Sequence, residues 1–159
     1  MNIKNELLKF FKSFRYAASG IIRCIKTQRN MRFHIGAAGA VAIVAILCSV
    51  SIAEELALLL TVGGVIALEC VNTAIENAVN LAAKTKPSEL AKAAKDCAAG
   101  AVLLFCIAAA CVAAVVFGRR ILYILGCFAE YPELIIAAVL YFGLWFWWVF
   151  FCFRENKDD

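Results

Sequence analysis

The segment Glu69-Cys70-Val71-Asn72-Thr73-Ala74-Ile75-Glu76-Asn77 decides the fold, because it puts two carboxylates inside an otherwise apolar stretch. Glu69 and Glu76 are seven residues apart, two helical turns, so both point the same way about 10 Å apart along the axis. Asn72 lies between them on the same face. Continuing to Asn80, the four polar positions fall within about 80° of arc, which makes a stripe along one helix face. A carboxylate in a membrane span is costly, and its presence there is a functional-site hypothesis by default. Two carboxylates with an amide between them suit holding a metal or moving a proton.

The surrounding chain supplies the membrane context. Of 159 residues 64% are apolar, and the mean hydropathy is +0.84, values too high for a soluble domain of this size. Only helices or a closed barrel satisfy the backbone in lipid, and the long runs rich in Ala and Leu select helices. The reading is an all-α membrane protein: an N-terminal amphipathic surface helix at about residues 3–18, a core of three transmembrane helices, and a fourth C-terminal span. The spans fall at about residues 33–53, 56–83, 89–118 and 133–153. Lys84-Thr85-Lys86-Pro87-Ser88 is the clear loop between spans, with Ser88 placed to cap the helix that follows.

Charge sets the orientation. Eight basic residues precede Phe33, with Glu6 alone opposing them. This cluster reads as cytoplasmic and suits anionic headgroups or nucleotide phosphates; nucleic-acid binding fits poorly in so apolar a chain. Arg119 and Arg120 fall on the far side, against the same tendency. Trp145, Trp147 and Trp148, near the end of the last span, suit an interface belt. The eight cysteines form no Cys-x-x-Cys pair and read as small apolar helix residues.

The combination Glu69-x-x-Asn72-x-Ala-x-Glu76 with Ala94-Lys95-Asp96 closely resembles the bacterial diacylglycerol kinase/undecaprenol kinase family. Lys12-Ser-Phe-Arg15-Tyr16 and Thr27-Gln28-Arg29-Asn30 fit its N-terminal part, and the resemblance covers about residues 4–118. It implies a lipid-kinase-like membrane domain over residues 1–118, with residues 119–159 an added span and a short cytoplasmic tail. It further implies a multi-pass enzyme of the cytoplasmic (inner) membrane, N-terminus inside, working as a homotrimer with shared active sites. Such enzymes move the γ-phosphoryl of ATP, with Mg²⁺, to a membrane lipid hydroxyl. Undecaprenol is the first substrate expected and diacylglycerol the second.

Carried over by position, Glu69 resembles the catalytic base and Asn72 the residue that positions groups beside it. Glu76 resembles a metal and ATP ligand. Tyr16, Gln28, Lys86, Lys95 and Asp96 fall where ATP contacts are expected, and Lys12, Arg15 and Arg32 where lipid headgroup contacts are. Two positions depart from the family pattern: Gln28 stands where the family has a metal-binding Glu, and Asn80 where Asp is common. Both keep an oxygen and lose a negative charge, so a catalytically impaired nucleotide- or lipid-binding protein is the competing reading. A transporter subunit would also use intramembrane carboxylates, but it does not account for Ala-Lys-Asp, and the inverted repeats expected of transporters are lacking.

Overall fold

A computed structural model describes residues 3–83 and 88–153. Lys86 lies outside the described residues. Six helices follow in order: α1 (Ile3–Thr27), α2 (Arg29–Leu47), α3 (Ile52–Ala83), α4 (Glu89–Gly118), α5 (Ile121–Glu130) and α6 (Glu133–Phe151). Among the described residues there is no strand. Four helices, α2, α3, α4 and α6, are long and apolar enough to cross a membrane. Leu60, Leu104 and Ile136 are more than 60% exposed, as expected where the surrounding solvent is hydrocarbon.

α3 and α4 form the central hairpin, with α2 packed on α3, α1 reaching both α2 and α3, and α6 lying against α2. Gly64 lets the hairpin close: an added Cβ there would strike the Phe105 ring. α3 is 32 residues long, about 48 Å at the helical rise, so it overruns the ~30 Å hydrocarbon layer. Its C-terminal third therefore carries polar residues to the interface.

Helix boundaries differ from the hydropathy reading where local hydrogen bonding intervenes. α1 runs past residue 18, through Gly20 to Thr27; the break comes at Gln28, which is extended at φ −105° and ψ 115°. α2 then starts before the apolar run, because Arg32 satisfies its charge on backbone carbonyls. α3 begins at Ile52 rather than near residue 56, because Ser51 and Glu54 form a capping box. The Ser51 backbone N–H donates to Glu54 Oε2 at 2.9 Å, and the Glu54 N–H returns to Ser51 Oγ at 3.4 Å.

Glu54 also pairs with a cation at the end of α4. Arg120 grips it in a bidentate pair at 3.0 and 2.8 Å and donates to the Val116 carbonyl. The Arg120 charge is thus matched locally. Between α2 and α3, Ser49 takes φ 45°, the left-handed conformation that a helix C-terminus usually gives to glycine. Ser49→Gly is expected to stabilise the protein by about 1 kcal/mol, the lower end of the cost of that conformation for an L-residue, read as a raised thermal midpoint in detergent.

Candidate functional site

The stripe on α3 is built as its spacing requires. Glu69 is 2% exposed and Asn72 7%, Glu76 is half-buried, and Asn80 is exposed near the end of the helix. The stripe thus grades from interior to interface over about 17 Å. Glu69 occupies the deep end, and no described side chain hydrogen-bonds its carboxylate. Asn72 donates through Nδ2 to Glu76 Oε1 at 3.3 Å, while its Oδ1 is buried and unpartnered. A buried amide oxygen without a donor is uncommon in a finished core; here it faces the two carboxylates' own helix face.

Neighbouring helices add to both ends. From α4, Lys95 Nζ donates to Asn80 Oδ1 at 2.6 Å, bringing a cation to the shallow end. From α1, Cys24 Sγ meets Thr73 Oγ1 at 3.2 Å, and Thr73 Oγ1 donates to the Glu69 carbonyl at 2.9 Å. Cys24 and Thr73 were not among the residues expected at the site. Thr73 flanks the stripe by one position and so signals its place, but nothing local ties Cys24 to it. Below Glu69, an apolar cavity of about 360 Å³ opens among α2, α3 and α4, lined by His34, Ala38, Leu58, Val65, Cys106 and Ala110 among others. Val65, one turn before Glu69, joins the cavity to the carboxylate's level.

The remaining expected residues divide. Asp96 is exposed on α4 beside Lys95. Lys12, Arg15 and Tyr16 are exposed along α1, with the Arg15 guanidinium 5.8 Å from the Tyr16 ring. Gln28 sits at the α1–α2 break, where its side chain makes no capping bond, and no hydrogen bond joins it to Glu76 or Asn80. Arg32 does not face lipid: it is 7% exposed and its donors are spent on the carbonyls of Ile25, Lys26 and Val149. Trp145 packs between Phe33 and Gly36 near the start of α2.

For a metal, the described residues contain no cluster of three His, Cys, Asp or Glu side chains. Magnesium is ordinarily held by one or two carboxylates together with substrate phosphates, rather than in an all-protein cage. Glu76, with the free Oδ1 of Asn72 beside it, fits that pattern.

Comparison with known proteins gives the chain its family. The sequence model of the prokaryotic diacylglycerol kinase family matches residues 15–117. Undecaprenol kinase of Bacillus subtilis (strain 168) is 46% identical over 114 residues, 72% of this chain and 92% of that protein. Diacylglycerol kinase of Synechocystis sp. is 47% identical over 97 residues, 61% of this chain and 55% of that protein. No solved structure matches the chain.

Proposed function

From the premise that this chain belongs to the prokaryotic diacylglycerol kinase family and is a membrane lipid kinase, we propose that it phosphorylates undecaprenol with Mg-ATP. Undecaprenol is preferred to diacylglycerol because the undecaprenol kinase match spans nearly all of that relative, while the diacylglycerol kinase match spans about half of its own. The observation that carries the reading is Glu69: a carboxylate 2% exposed, in a spanning helix, with no described hydrogen-bonding partner.

The residues divide the work by depth. Glu69 takes the proton of a lipid hydroxyl that arrives laterally at the headgroup level, its tail directed toward the apolar cavity below. Asn72 steadies Glu76 through Nδ2 and leaves its unpartnered Oδ1 as a second oxygen beside the metal position. Lys95 places a cation near the transferring phosphoryl group, where charge on the equatorial oxygens needs neutralising. Because Asn80 is neutral, the Lys95 charge is hydrogen-bonded without being cancelled, and Asp96 beside it is read as an ATP contact. Tyr16 and Gln28 contribute nucleotide contacts from α1 and its break; Lys12 and Arg15 meet lipid headgroups. Glu76 would hold Mg²⁺, which when bound neutralises phosphate charge.

Four crossings leave both ends of the chain on one side, and the eight basic residues before Phe33 make that side the cytoplasm. The apolar outer faces of α3 and α4 suit assembly as a homotrimer with sites shared between subunits.

Purified protein in bilayers is expected to transfer the γ-phosphoryl of ³²P-labelled ATP to undecaprenol faster than to diacylglycerol. Faster labelling of diacylglycerol would reverse the substrate assignment. Absence of labelled lipid across a wide Mg²⁺ and Mn²⁺ range, with activity appearing in Gln28→Glu, would favour the impaired-enzyme reading.

A further inference from the structure

We propose that α6 is an intramolecular brace for the α1–α2 corner, and that Arg32 is the positioning residue through which it acts. α6 lies wholly outside the segment matched by the family, residues 15–117, yet it docks by specific contacts. Its residues Tyr141, Trp145 and Val149 recur every four positions and form one stripe. They meet Gly39, Gly36 and Arg32 of α2 in antiparallel order. Tyr141 donates to the Gly36 carbonyl at 2.6 Å. Trp145 lies flat in a notch that exists because residue 36 has no side chain: an added Cβ would fall inside the indole. At Gly39 an added Cβ would meet the Tyr141 hydroxyl in the same way.

The third rung is the unusual one. Arg32 Nε and Nη2 donate to the Val149 carbonyl at 3.2 and 3.1 Å, and Nη1 donates to the carbonyls of Ile25 and Lys26 at 2.9 and 3.0 Å. Val149 lies in the last turn of α6, and Ile25 and Lys26 in the last turn of α1. Carbonyls in last turns lack intrahelical donors and carry the negative end of the helix dipole. One guanidinium thus caps two helix C-termini at once and ties them to the start of α2. Arg29 over Phe150 at 5.5 Å and Arg32 over Phe153 at 5.6 Å extend the contact.

The corner held in this way carries Gln28, and it continues into α1, which touches the stripe through Cys24 and Thr73. Fixing the corner from the α6 side therefore fixes where Gln28 and Tyr16 stand relative to Glu76. A span that merely filled lipid would have no use for glycine notches or a doubly capping arginine.

The test uses Trp145→Ala and Gly36→Ala in the whole chain, the first emptying the notch and the second filling it, with Trp145→Phe as the conservative control. Hydrogen–deuterium exchange in detergent is expected to rise on the order of tenfold over residues 20–31 in the first two variants, about 1.4 kcal/mol of local opening. The control should stay near wild type. Resting on the kinase reading, the ATP KM should rise on the order of tenfold with kcat little changed, the pattern of lost binding rather than lost chemistry. Folded variants whose corner exchanges as in wild type would overturn the brace, whatever the activity. Increased exchange in a protein that labels no lipid would support the brace and count against the kinase reading instead.

Discussion

Replacing Glu69 by glutamine is expected to lower kcat by roughly 10²–10⁴-fold, the range a positioned general base contributes, while the protein stays folded. The two side chains have nearly the same shape, so packing in the stripe is preserved. What is lost is the ability to accept the proton of a lipid hydroxyl. Because that interaction develops as the reaction proceeds, kcat and kcat/KM should fall together, with the lipid KM little moved.

The stability of the same variant separates a catalytic role from a structural one. If the Glu69 carboxylate sealed helices together, the substitution would leave its partners unsatisfied and lower the thermal midpoint. No described residue hydrogen-bonds that carboxylate, and it is 2% exposed. A charge kept from water without a partner is costly. The neutral amide should therefore leave the midpoint unchanged or raise it. Inactivity with undiminished stability is the expected pair of results; undiminished activity would remove Glu69 from the role of base. Functional sites commonly hold such locally unfavourable groups.

What could be read from the chain alone follows the range of the forces involved. The polar stripe was legible because Glu69, Asn72, Glu76 and Asn80 repeat at the helical period within an apolar run, and burial grades along it as the spacing implies. The start of α3 was also written locally, as Ser-x-x-Glu at Ser51 and Glu54, but hydropathy alone places the start later because it sees Glu54 only as a charge. The break at Gln28 had no glycine or proline to mark it. Arg32 shows where local reading ends. An arginine at the mouth of a span is naturally taken for a headgroup contact. Its principal partner is a carbonyl 117 residues further along the chain, and no local pattern announces that. The packing of Trp145 escapes local reading for the same reason: its neighbour is Gly36, whose missing side chain matters only once α6 has docked. The Lys95–Asn80 bond depends in turn on the register of α3 against α4.

Replacing Glu76 by glutamine should be the second severe change, with a different signature. Glu76 is the shallow, half-buried carboxylate of the stripe, held by Asn72 at 3.3 Å. The two positions nearest to it in the family pattern that would share the negative charge are Gln28 and Asn80, both neutral here. Among the described residues no group of three His, Cys, Asp or Glu side chains gathers, so on the proposed reading Glu76 would supply the main anionic oxygen. Its loss should weaken metal binding by more than the 10–100-fold typical of removing an outer partner of a metal ligand. Binding of Mn²⁺ in the presence of a non-hydrolysable ATP analogue, followed by electron paramagnetic resonance, reads this without reference to turnover. The expected result is loss of the bound signal in Glu76→Gln and its retention in Glu69→Gln. Asn80→Asp should act in the opposite direction, tightening the metal by adding charge while pairing Lys95, so that the ATP KM rises as the Mn²⁺ Kd falls. If Glu76→Gln binds Mn²⁺ as tightly as wild type, the metal is held elsewhere, and the division of labour between the two glutamates fails.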